Sequence, residues 1–307
     1  MDGHSHSTIA STYVVNDQGY TIPLSSTGTK LKYIGVLNIA DSGIVTTTIV
    51  DGSMARSKEF DARKTEIVAQ YDEIINQVLT SASVELRDSD ENGVNMVRTR
   101  ETNLGDLVAD AYRYAGSAEI GLVNGGSIRS GLNAGDLTVA DILTCHPFGH
   151  AIINIKTTGQ QILDALEWAS RGAQAEYKSP NGNPIGQVGA FLQVSGLRYT
   201  IDTSIESPAI ADDKDLFFGI IEDAPRRVSD VEVEKDGVWT AIDPEAEYIV
   251  SSCEYNITDM GDGFTMFVND EVLQNNGLDY ETLTNYLVSL NGDLSAYAEP
   301  QGRITIK

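Results

Sequence analysis

Between Met54 and Ser81 the chain runs without a proline. Within that stretch Phe60, Ile67, Val68, Tyr71, Ile74, Ile75, Val78 and Leu79 recur near the i, i+3, i+4, i+7 spacing. The spacing predicts one long helix from about Met54 to Ser81 with a single apolar stripe. Its position divides the chain. On the N-terminal side the residues read only as strands and turns, and on the C-terminal side as a mixture of helices and strands. A long helix between two such segments is expected to act as a connector.

In the first segment, Tyr13-Val14-Val15 leads into the turn cluster Asn16-Asp17-Gln18-Gly19, and Tyr20 to Pro23 follows. Apolar side chains then alternate from Leu31 to Ile39. Strands this few cannot bury both faces, so they are expected to need a larger sheet. From Val84 onward helices are expected around Leu104–Ala115, Val139–Leu143, Gln160–Ala169 and Tyr280–Leu290. Strands are expected at Ile120–Val123, Ala151–Lys156, Leu197–Asp202, Val228–Val233, Tyr248–Ser252 and Arg303–Ile306, with Asp236-Gly237 turning a hairpin. The fold class is mixed α/β (α+β).

No apolar run approaches the ~20 residues of a membrane helix, so a soluble protein is expected. The formal net charge of -24 argues against nucleic acid as a partner, because a phosphate backbone needs a broad basic surface. Any phosphate site must therefore be a local cluster of arginines. Cys145 and Cys253 are too far apart for a zinc motif and read either as buried thiols or as one bridge.

Four short motifs could carry chemistry. In Asn124-Gly125-Gly126-Ser127-Ile128-Arg129 a buried strand ends on two glycines that permit close approach, and the Arg129 fork suits phosphate oxygens. The same residues also read as a tight turn followed by a solvated arginine. Arg98-Thr99-Arg100 precedes Glu101-Thr102-Asn103 at the mouth of a helix, where anions are favoured. There, too, Glu101 pairing with an arginine and Thr102 or Asn103 capping the helix would be enough. Pro147-Phe148-Gly149 offers an aromatic face on a turn, or only a core phenylalanine. Asp262, between Gly261 and Gly263, offers a carboxylate to a sugar diol, and the spacing of a calcium loop is absent.

In order, these motifs resemble the C-terminal substrate-binding domain of the 5′-nucleotidase family, which includes UDP-sugar hydrolases and AMP-hydrolysing enzymes. Thr158-Gly159, Asp136-Leu137-Thr138 and Phe191-Leu192-Gln193-Val194-Ser195-Gly196 extend the match to about two-thirds of the chain. The resemblance implies that Arg98 and Arg129 grip phosphate, with Asn124 beside them and Arg100 as a helper. It further implies that Phe148 forms one side of a clamp on the base, Gly189 lies near the base, and Asp262 holds the ribose hydroxyls. Where relatives place the second clamping aromatic, this chain has Asn256, with Tyr255 adjacent. Met260 stands where relatives have glycine. Either Tyr255 fills the gap, or the substrate is a cyclic nucleotide or a nucleoside diphosphate sugar rather than a purine nucleotide.

Asp2-Gly3-His4-Ser5-His6 resembles the last ligand motif of the family's metallophosphoesterase domain. Alternate residues of a strand share a face, so His4 and His6 would reach a site for two divalent ions (Zn, Mn, Mg or Co). The family's other ligands are not in this sequence, whose remaining histidines are His146 and His150. The resemblance therefore implies a remnant of the metallophosphoesterase domain over 1–52, a connector helix over 53–83 and the substrate-binding domain over 84–307. It implies a chain that binds a nucleotide or nucleoside and is inactive without a catalytic domain supplied upstream. An extracellular, cell-surface or periplasmic location follows from the resemblance alone. A stand-alone nucleotide-binding module and a remnant that binds nothing are the alternatives.

Overall fold

A computed structural model of the chain describes residues 7–29, 32–52, 57–173 and 189–307. They form two compact units, 1–71 and 72–307, each described on its own. The first contains two antiparallel hairpins, β1 (Thr8–Val15) with β2 (Thr21–Thr27) and β3 (Ile34–Ile39) with β4 (Val45–Val50). At the tip of the first, the Asn16 side chain accepts from the N–H groups of Gln18 and Tyr20, and Gly19 takes φ 82°. Tyr13, Val15, Ile34 and Ile39 of these strands are exposed.

The boundary between the units falls within helix α1 (Lys58–Ile75). This helix is shorter than the expected Met54–Ser81, of which residues 54–56 are outside the described part. None of its residues is buried, so the anticipated apolar stripe lies open, with Phe60 69 % and Tyr71 56 % exposed. At its other end Val78 to Ala82 form strand β5, not helix. This stretch pairs antiparallel with β7 (Gly135–Thr138), so tertiary pairing overrides the helical spacing.

The second unit is built on a five-stranded sheet. Its members are β6 (Ile120–Asn124), β8 (Ala151–Thr158), β9 (Leu192–Ser195), β15 (Glu247–Cys253) and β16 (Glu271–Leu278), in the order β16-β8-β15-β6-β9. Only the β15–β6 pair is parallel. Side chains alternate across it. Ile120, Leu122, Ile153, Ile155 and Val250 enter a core with helix α4 (Gly159–Ala169). Val123, Ile152 and Cys253 enter another with helices α2 (Asn103–Gly116) and α6 (Asp279–Ser289). A second sheet joins the α4 side, made of β10 (Leu197–Ile201), β13 (Val228–Lys235), β14 (Val238–Ala241) and β17 (Ile304–Ile306). The β13–β14 hairpin turns at Asp236 and Gly237, both at positive φ, as expected of Asp-Gly. Helix α3 (Val139–Cys145), the short α5 (Glu254–Ile257) and the small hairpin of β11 (Ala209–Ala211) with β12 (Phe217–Ile220) complete the unit.

Local chemistry sets the helix starts. Thr138 with Asp141 and Thr158 with Gln161 form capping boxes at α3 and α4, while Thr102 caps α2 by accepting from the Gly105 N–H. Glu101 does not pair with the arginines beside it. Its carboxylate accepts the backbone N–H groups of Arg303 and Ile304, each at 2.9 Å, and so holds β17. Arg303 in turn donates to Asp110 at 2.8 Å and to the Val194 carbonyl at 2.7 Å. Burial, and then the neighbouring Glu101 carboxylate, push the Asp106 carboxyl in this network up to about 8. Cys145 and Cys253 are free, buried thiols.

Candidate functional site

The site grows from the end of β6, whose residues are all buried. Asn124, 2 % exposed, donates from Nδ2 to Asp262 Oδ2 at 2.7 Å and accepts the Ser127 hydroxyl at 2.5 Å. Two motifs far apart in sequence thus meet through one side chain. The N–H groups of Gly125 and Gly126 donate to the carbonyls of Phe191 and Gly189, at 2.7 and 2.9 Å, which pins the turn to the backbone ahead of β9.

Asp262 sits in the left-handed region, φ 52° and ψ 17°, between Gly261 and Gly263. Its carbonyl accepts the Trp168 indole N–H at 2.8 Å, and its own N–H donates to the Tyr255 hydroxyl at 3.3 Å. Two glycines here are demanded by space. A Cβ on Gly189 would come within 2.7 Å of the Asp262 carboxylate, and one on Gly261 within 2.4 Å of the Tyr255 ring.

Arg98 is half-buried, and burial holds its guanidinium below the ordinary arginine value. The Arg129 charge pushes the same way and the Asp262 charge opposes both. Two cations and one carboxylate therefore lie within electrostatic reach. An anion placed between the arginines would relieve their repulsion. The Nε atoms of Arg98 and Arg100 are buried without a hydrogen-bond partner among the described residues. Arg129 is exposed, donates to the Gly126 carbonyl at 3.3 Å, and holds its guanidinium carbon 5.7 Å from the centre of the Phe148 ring.

The Arg98–Arg100 loop is carried by a residue the motif reading left without a role. Gln193, fully buried on β9, donates to the carbonyls of Val97 and Arg100 at 3.0 and 2.8 Å and accepts the Thr102 N–H. Its amide replaces the backbone partners that an irregular loop lacks. The Arg100 backbone carbonyl is thereby tied to β9.

Phe148 is 51 % exposed, whereas Asn256 is buried at 2 %. Tyr255, not Asn256, faces the cleft of about 420 Å³ that Gly189, Asp262, Arg171 and Lys214 also line. Phe148 and Tyr255 each stack on the His150 imidazole, with ring centres 5.3 and 5.2 Å away. The Arg171 guanidinium carbon lies over the Trp168 ring, 3.2 Å from its centre. Neither His150 nor Trp168 stands out in the sequence, since a histidine two residues past a turn and a tryptophan inside an apolar helix carry no motif.

His4 and His6 lie outside the described residues. Among the described residues no group of three or more His, Cys, Asp or Glu side chains could hold a metal ion. Two divalent ions typically need three or more protein ligands each, so the described residues do not fit a dinuclear centre.

The family model described as 5′-nucleotidase, C-terminal domain, matches residues 78–269. The chain belongs to this family. Among individual relatives, the trifunctional nucleotide phosphoesterase protein YfkN of Bacillus subtilis is 29 % identical over 99 % of the chain, and the match takes in 19 % of that protein. Protein UshA of Escherichia coli is 26 % identical over 73 % of the chain and 35 % of its own length. The solved 5′-nucleotidase precursor of Thermus thermophilus superposes with a TM-score of 0.65 at 27 % identity, over 96 % of this chain and 54 % of that one. The chain thus spans a fraction of the length of the curated relatives it matches. The mixed α/β fold is the one seen in 5′-nucleotidase structures. No described helix is long and apolar enough to cross a membrane.

Proposed function

We propose that this chain is the nucleotide-binding portion of a 5′-nucleotidase-like phosphohydrolase. In this reading residues 84–307 bind the substrate, 53–83 connect, and 1–52 close a metallophosphoesterase domain to which His4 and His6 contribute ligands. Arg98 and Arg129 hold the phosphate and Arg100 assists. Asp262, fixed by Asn124 and Trp168, takes the ribose hydroxyls, and the base lies against Phe148 and Tyr255 near the Gly189 backbone. The observation that carries this reading is the Asn124–Asp262 hydrogen bond of 2.7 Å, which ties the sugar-binding carboxylate to the arginine-bearing turn. A phosphate gripped there gains charge-assisted hydrogen bonds worth about 1.5–3 kcal/mol each.

In this reading the described residues bind and orient the substrate. The parent enzyme is proposed to be secreted, periplasmic or displayed at the cell surface. A stand-alone binding module is the second reading, favoured by the location of every proposed substrate contact within one unit.

The test is a calorimetric titration with AMP and with adenosine, repeated on Arg129→Ala. AMP is expected to bind, and the variant to lose about 10- to 100-fold in AMP affinity while adenosine changes little. Equal losses for both ligands would remove the phosphate role. Steady phosphate release from AMP with Mn²⁺ by the pure chain would contradict the assignment of binding without turnover.

A further inference from the structure

A clamp of two aromatic rings needs an open slot between them, and here a third ring reaches both. The His150 imidazole is 5.3 Å from the Phe148 ring at 28° and 5.2 Å from the Tyr255 ring at 24°. Both are stacked geometries. Resting on the nucleotide-binding reading above, we propose that His150 is a specificity-determining residue. Its imidazole fills the slot between Phe148 and Tyr255, so a nucleobase must displace it to stack.

The backbone of His150 is fixed by hydrogen bonds, whereas its imidazole is held by ring contacts alone among the hydrogen bonds and stacks of the described residues. The His150 N–H donates to Asp279 Oδ2 at 3.2 Å, and its carbonyl accepts the Asp279 N–H at 2.9 Å, which anchors the start of α6. The imidazole, half-buried, is held in place by its two ring contacts. A five-membered ring offers less stacking area than a purine, so displacement is feasible. It lowers the apparent affinity by the fraction of molecules in which the slot is closed. Phosphate and ribose bind elsewhere in the cluster and escape this penalty. The site is therefore biased towards phosphoesters recognised by phosphate and sugar, and the base adds little.

The test compares AMP with ribose 5-phosphate, which has no base, on the chain and on His150→Ala. Ribose 5-phosphate is expected to bind both proteins equally, and AMP to bind the variant about 10-fold more tightly. Unchanged or weaker AMP binding by the variant, with ribose 5-phosphate binding intact, would overturn the plug and leave the nucleotide-binding reading standing. Failure of both ligands to bind either protein would overturn that reading and the plug with it. A second measurement needs no ligand. The His150 ring proton is expected upfield in the proton spectrum of the chain, and nearer to an isolated histidine in Phe148→Ala. An unshifted resonance in the parent chain would overturn the stack.

Discussion

At the scale of single residues, the cluster depends on groups that carry no charge. Gly189 gives up its side chain so that the Asp262 carboxylate can occupy the space. Gly189→Ala is expected to push that carboxylate off Asn124 and to lower AMP affinity about 10-fold, through the loss of one charge-assisted bond. Calorimetry measures the loss, and unchanged affinity would show that Asp262 does not hold the sugar. The charged members and Asn124 were legible in the sequence because their motifs are short and ordered. The supports were not: Trp168 reads as one more apolar helix residue, yet its N–H fixes the Asp262 carbonyl. Tyr255 and Asn256 are adjacent, and only the start of α5 decides which faces the cleft and which is buried.

At the scale of elements, the arginine loop hangs on β9 through Gln193. Gln193→Leu removes the partner of two carbonyls and one N–H in a fully buried position. We expect a loss of about 2–4 kcal/mol in urea unfolding, because buried backbone groups left without partners cost about 1–3 kcal/mol each. AMP binding should weaken in the same variant. Helices bounded by threonine caps, and strands rich in apolar residues such as β6 and β8, were readable from the residues. The edge strand β16 was not, because Glu271, Gln274, Asn275 and Asn276 give it a polar pattern and its pairing comes from β8. The apparent length of α1 misled for the opposite reason. Val78 and Leu79 keep the helical spacing while the strand they begin pairs with β7.

At the scale of the whole molecule, stability should carry a pH signature from the Asp106 network. The folded state holds the Asp106 proton up to about 8, whereas an unfolded chain releases it near the ordinary carboxylate value of about 3.9. This contribution is complete below the unfolded value and is lost as pH rises through the folded one. Unfolding free energy is therefore expected to decline between pH about 4 and about 8, by at most about 1.4 kcal/mol per pH unit. Asp106→Asn should flatten that decline in urea titrations run across the range, and an unchanged slope would exclude this carboxyl as its source. No sequence reading anticipates the network, since Glu101, Asp106, Asp110 and Arg303 meet only after α2 packs near β17.

The bond from Glu101 to β17 also bears on how the site comes into being. The loop that bears Arg98 and Arg100 adjoins a carboxylate whose partner lies 202 positions later. During synthesis a ribosome delivers the arginine loop long before it delivers the strand that braces it. Contacts of such long sequence separation form late. The arginine loop is accordingly expected to be among the last features of the domain to mature. On the proposed function, a nascent chain is expected to gain full ligand affinity only once residues 303 and 304 are available to Glu101.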